Sequence, residues 1–218
     1  FFNAMKRRVS RAWTGMLTLG LGLGATGLDA QVLDQGTLLI RAGVREVGAE
    51  TFRIVSDSGQ LRITTRTTFG ARAAEFSTAL ERTRAADAAF QLDWISGGRS
   101  GQLYAVQKRN RVTVRRVEKG AEQASELPTT PRTAFVADSV FAVLYQFAWL
   151  APQGGTFPAL IPIGNRRLSV TVERSASAQG TLIRLRDGLT GEIEIGNAGQ
   201  ILRIHLPNLG LEAVRKPE

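Results

Sequence analysis

No cysteine occurs in the 218 residues, and the sole histidine is His205. The first absence excludes disulfides, thiolate zinc sites, iron–sulfur clusters and cysteine nucleophiles. The second leaves almost nothing from which to build a histidine-based metal centre. Lysine is scarce as well: Lys6, Lys108, Lys119 and Lys216 are the only four among 28 basic residues, so arginine carries the positive charge. Beyond the first thirty residues no run is apolar over the ~20 residues that a membrane-spanning helix needs. Against these gaps stand a hydrophobic fraction of 43% and a charged fraction of 22%, which are those of an ordinary globular chain and exclude a disordered or collagen-like polymer. The length suits one substantial core.

The first thirty residues read differently from the rest. Met5 is the expected start, and Lys6, Arg7, Arg8 and Arg11 then precede an uncharged run from Ala12 to Leu28. Basic, apolar, then small is the order of a secretory signal peptide. Residues 1–30 are therefore expected to be an address, and residues 31–218 a single exported domain, periplasmic or secreted. An uncleaved N-terminal membrane anchor is the alternative. Five glycines stand against it, each weakening a helix by up to about 1 kcal/mol relative to alanine. Removing the address lowers the net charge from +9 to +6, with 24 basic residues left against 18 acidic.

Period-2 alternation runs through most of the remainder, as strands with one buried face require. Leu38 and Ile40 alternate with Thr37, Leu39 and Arg41, and residues 46–56 make a second strand. After the turn at Asp57-Ser58-Gly59, Leu61, Ile63 and Thr65 oppose Arg62, Thr64 and Arg66. Similar stretches surround Phe76–Leu80, Phe90–Trp94, Leu103–Gln107, Val112–Val117, Leu168–Val172, Leu182–Leu185, Leu189–Ile195 and Ile201–Leu206. Ser96–Gly101 reads as a loop and Ala121–Pro131 as a strand-poor linker. Regular strand spacing without intervening helices predicts a mainly antiparallel β fold.

One segment breaks the alternation. Behind a candidate cap at Ala137-Asp138-Ser139, residues 140–150 hold one amide, Gln146, and no charge, before Pro152 stops the run. A helix apolar on every side must be enclosed. The fold expected is thus a strongly curved antiparallel sheet, a half-barrel, wrapped around one apolar helix near residues 138–150.

That combination resembles the unclosed β-barrels of bacterial periplasmic proteins, of which the outer-membrane lipoprotein carrier is the best-known member. Three stretches are similar to an uncharacterised group of such secreted proteins: the opening with its Gly48, the helix followed by Thr156–Pro162, and the ending Gly199–Ile204, Pro207 and Ala213–Arg215. The resemblance implies binding of lipid or another apolar ligand in the hollow between sheet and helix.

Catalytic patterns are few. His205 lacks a nucleophile motif beside it, and the Gly-rich stretches at 96–101 and 196–199 join strands rather than strand to helix, unlike phosphate loops. Glu50, Asp57, Glu75, Asp93 and Glu192 are the carboxylates from which a catalytic pair would have to be drawn. The expectation is a non-enzymatic binding or carrier protein, without cofactor or metal, for a lipid or other apolar small molecule. Its apolar pocket would be lined by Trp94, Phe141, Leu144, Tyr145, Phe147, Trp149 and Phe157. The basic hairpin Lys108, Arg109, Arg111, Arg115 and Arg116 is the candidate contact for an anionic membrane surface. It lacks the interleaved aromatics that a nucleic-acid site needs, and none is expected as a partner. The alternative is a structural or interaction protein of the cell envelope, docking a partner protein through a sheet edge or that hairpin.

Overall fold

The computed structural model describes residues 30–70, 73–84 and 87–217. Apart from Ala30, the expected signal peptide lies outside the described residues.

Two meanders are sewn together at the chain ends. The first contains β1 (Gln31–Ala42), β2 (Arg45–Asp57), β3 (Gln60–Phe69), β4 (Ala74–Thr83), β5 (Ala88–Ser96), β6 (Arg99–Lys108), β7 (Arg111–Glu118) and β8 (Ala121–Pro128). The second runs through β10 (Gly155–Ile161), β11 (Arg166–Ser177), β12 (Gly180–Asp187), β13 (Gly191–Gly196), β14 (Ile201–Leu206) and β15 (Leu211–Arg215). β1 pairs with β15, Leu38 opposite Arg215 through Arg41 opposite Glu212. Among the described residues the result is one sheet of 15 strands, whose outer edges are β8 and the two-residue β9 (Ala134–Phe135), which adds parallel to β10. Every other pairing is antiparallel. The half-barrel expected from alternation is the observed architecture, and the sheet does not close by strand pairing.

Turn chemistry sets the register. Ser58-Gly59, Gly97-Gly98 and Lys119-Gly120 each carry two successive positive φ angles, the type I′ geometry whose twist matches that of the flanking strands. Asp34 ties the two meanders: its carboxylate accepts the Ile201 amide at 2.7 Å and lies 3.0 Å from the Arg215 guanidinium.

Because the meanders end at opposite edges, the chain must cross from β8 to β10, and residues 129–154 do so through the hollow of the sheet. This crossing holds β9, a 3₁₀ turn (Ala142–Leu144) and the helix α1 (Tyr145–Leu150). Phe135, Phe141, Ala142, Val143 and Phe147 are wholly buried there, against Ile54, Leu61, Ile63, Leu80 and Phe90 of the sheet's inner face. Burying each large apolar side chain contributes roughly 1.5–3 kcal/mol.

Three local expectations are corrected. The helix begins later than residue 138, as a 3₁₀ turn, because its amides are capped from a distant strand and not by the exposed Asp138. The loop at 96–101 is only the turn at Gly97-Gly98, with β6 starting at Arg99. The linker at 121–131 contains β8, of whose inward residues Ser125 faces the seam and Leu127 borders the seam while packing against the core. An edge strand of that kind needs no apolar alternation.

Candidate functional site

Of the seven residues expected to line a pocket, six belong to one hydrophobic core and Tyr145 packs against it, while Trp94 alone of them also borders one of the hollows described below. Phe141, Leu144 and Phe147 are packed in the core with at most 1% exposure. Trp94 lies across from Gly101, where a Cβ would come within 2.2 Å of its ring, and Arg116 stands 5.5 Å from its centroid. Trp149 and Phe157 face guanidinium groups at the opposite end, each 4.6 Å away, from Arg84 and Arg132. Tyr145 is half-buried, and burial pushes its hydroxyl pKa up. The space between sheet and helix is filled.

What the interior contains instead is a set of polar groups that lock the crossing segment. Glu50, on β2 and fully buried, accepts the Thr67 hydroxyl at 2.6 Å and the Phe141 and Ala142 amides at 2.9 and 2.6 Å. Burial raises its carboxyl pKa above the ordinary value, more than these three donors lower it. Gln146 mimics a missing strand. Its amide accepts the Phe135 N–H at 3.1 Å and donates to the Phe135 carbonyl at 2.6 Å, so the free edge of β9 is paired by a side chain. Arg82, at the end of β4, donates to the Gln146 oxygen at 3.0 Å and to the Thr133 carbonyl at 3.3 Å.

Open space occurs beside Trp94, in a hollow of about 460 Å³ bordered by Glu75, Asp93, Gln102 and Lys119, and along the seam, where the two edges face one another. They are bridged by hydrogen bonds from Asn165 to the Ser125 hydroxyl at 3.3 Å and from Arg116 to the Ile163 carbonyl at 3.5 Å. One groove of about 300 Å³ is lined by Val112, Leu127, Pro128, Pro158, Ala159, Leu160 and Leu168, with Thr129, Thr130, Thr133 and Arg167 around them. A second hollow of about 560 Å³, between Val114, Arg116, Gln123–Ser125 and Pro162–Asn165, continues the seam and is more polar.

The basic hairpin is largely neutralised on its own surface. Arg111 pairs with Glu126 at 2.8 Å, Arg115 with Glu122 at 2.6 Å, and Arg116 with Glu118. Lys108 and Arg109, at the turn, have no carboxylate within ion-pair distance among the described residues. Similar cross-strand pairs cover the outer face, Arg62–Glu81 and Arg184–Glu192 among them.

The candidate carboxylates hold structural contacts: Glu75 with Arg66, Glu192 with Arg184, Asp93 with Gln91 and Asp57 with Ser58. His205 stands half-buried on the outward side of β14, opposite Glu192 and Glu212 in the register. Glu50 and Arg82 were legible as anomalies. Glu50 shares its parity with Phe52 and Ile54, and Arg82 with Thr78 and Leu80, which places a charge on an inward face in each case. The seam groove had no such signal, since its residues come from strands far apart in the chain.

No family model matches the chain, and no curated protein matches it. Among solved structures, a crystal structure of a beta-barrel-like protein of domain of unknown function DUF1849 from Brucella abortus is similar to it. The two share 11% sequence identity over 84% of this chain and 92% of that one, with a TM-score of 0.49.

Proposed function

We propose that this is an exported, non-enzymatic binding protein that takes an apolar ligand, such as a lipid acyl chain, into the groove at the seam of its unclosed barrel. The carrying observation is the groove itself: seven of its eleven lining residues are aliphatic or proline, and it opens where the sheet fails to pair. Its volume of about 300 Å³ stands at the lower end of the range of about 300–1,000 Å³ for small-molecule sites. The hollow around the helix does not serve, because side chains occupy it. Binding without catalysis accords with the five candidate carboxylates, each of which contacts an arginine, an amide or a turn residue.

Docking of an envelope protein through the edge of β8 is less well supported. Glu122 and Glu126 stand along that strand and Pro128 ends it, which are devices that keep edges from pairing. Partnered arginines likewise reduce the hairpin's pull on an anionic membrane.

The test is uptake of a neutral fluorescent acyl probe by the purified protein, with mass spectrometry of protein gently isolated from its envelope. A saturable fluorescence gain and a co-purifying amphiphile are expected. Leu168→Trp, at a half-buried position in the groove, should abolish uptake without lowering Tm. Absence of both probe uptake and bound amphiphile in the wild type overturns the reading.

A further inference from the structure

Three arginines converge on the last turn of α1, and a fourth, Arg82, reaches the helix at Gln146. Arg132 donates through Nη2 to the Leu150 carbonyl, and Arg174 donates to the carbonyls of Ala148 at 3.1 Å and Ala151 at 3.3 Å. Arg84 lies over the Trp149 ring and Arg132 over Phe157, both at 4.6 Å. Arg82 sits behind them, 1% exposed. Among the described residues no carboxylate lies within ion-pair distance of any of the four. Even a long helix presents only about half a negative charge at its carbonyl end, so the charge of this cluster is largely uncompensated.

Arg82 shows what is missing. Its Nη1 is satisfied by Thr133 and Gln146, but Nε and Nη2 have no hydrogen-bond partner among the described residues. Those two N–H groups point the same way along one edge of the guanidinium plane. Their spacing fits two oxygens of a single phosphate or carboxylate. A buried charge left in that state is costly unless a counter-charge joins it. Burial and the nearby Arg132 already hold the Arg82 pKa down to about 10. Arg84 and Arg132 are exposed and held over aromatic rings, which leaves donors on them available to a ligand.

We propose that this cluster is a phosphate-binding site, in which Arg82 grips two oxygens of the anion side-on and Arg84 and Arg132 supply the remaining positive charge. Free phosphate and the phosphate head of a single-chain amphiphile share this chemistry. Thr133 borders both Arg82 and the seam groove, so the second would engage both places. The site itself needs no apolar ligand and stands independently of the groove.

The experiment titrates the protein with inorganic phosphate and with dodecyl phosphate, ionic strength matched with chloride, reading Tm and binding heat. Phosphate should raise Tm saturably where chloride does not. Arg82→Met should lose that shift, and Arg82→Lys, which keeps the charge but not the fork, should bind at least tenfold more weakly. Should Arg82→Met not fold, the exposed pair Arg84→Gln with Arg132→Gln serves, with at least tenfold weaker binding expected. Dodecyl phosphate at least tenfold tighter than inorganic phosphate identifies an amphiphile head; equal affinities identify the free anion. No Tm shift with either compound, or equal shifts in the wild type and the arginine variants, overturns the proposal. Retained phosphate binding in a protein that takes up no neutral acyl probe overturns the groove alone.

Discussion

Glu50 is the residue whose removal tests the logic of the interior most directly. Glu50→Ala leaves the Phe141 and Ala142 amides without an acceptor in a dry core, since Glu50 is fully buried. Each unsatisfied buried donor costs about 1–3 kcal/mol. The Thr67 hydroxyl is able to rotate toward another acceptor, and the loss of a buried carboxylate offsets part of the cost. A net loss of about 3 kcal/mol is expected, a large share of the roughly 5–15 kcal/mol that holds a domain together. Urea unfolding at pH 7 reads it as a lower midpoint at unchanged m-value.

Acidity supplies a second arm. Burial raises the Glu50 pKa in the folded protein above its ordinary value of 4.5. Above pH 4.5 the folded state therefore holds more of this proton than the unfolded state does. The stability that protonation contributes is complete below pH 4.5 and is lost as pH rises through the folded pKa. Glu50→Gln removes that dependence and leaves other groups in place. The stability of the wild type relative to Glu50→Gln should therefore fall as pH rises from 4.5. A difference that is flat or grows with pH, or a Glu50→Ala cost below about 1 kcal/mol, refutes the role assigned to this carboxylate.

Three further outcomes are expected. Gln146→Leu deletes the side-chain pairing of β9 and an acceptor of Arg82, and should cost about 2–4 kcal/mol; hydrogen exchange at the Phe135 amide should accelerate with it. Gly101→Ala drives a methyl into the Trp94 ring, 2.2 Å away, costing roughly 1–3 kcal/mol and altering tryptophan fluorescence, with Trp94→Leu restoring stability in the double variant. Arg115→Gln breaks an exposed pair with Glu122 and should change stability by no more than about 1 kcal/mol; a larger loss in thermal unfolding would mean that the outer ion pairs hold the sheet.

Much of the fold was legible because the two faces of each strand differ in chemistry. Leu61 and Ile63 against Arg62 and Thr64 mark a strand in any context, and the uncharged run at 140–150 marks an enclosed segment, helical from Ala142 on. β8 was hidden because, as an edge strand, it sends one large apolar residue inward: Leu127 packs against the core, and Ser125 meets the seam, where a polar residue suffices. The helix start was misplaced for a related reason. Asp138 has the right chemistry for a local cap, but Glu50, about ninety positions earlier, reaches the amides first in three dimensions. The aromatic residues expected around a ligand carried no information on whether space remains beside them: the helix aromatics are packed in the core, and Trp94 borders a hollow.

By itself the sequence determined the strand alternation, the apolar helix, the exclusion of thiolate and multi-histidine chemistry, and the placing of charge on inward parities at Glu50 and Arg82. These follow from residue type and period, which are local properties. Tertiary structure alone decided that β1 meets β15, that the crossing segment fills the barrel, and that an apolar groove opens at the seam. It also decided that Arg82, Arg84, Arg132 and Arg174 gather around one short helix. Each depends on how strongly the sheet curls, a sum of small twists over fifteen strands that no single stretch of sequence contains.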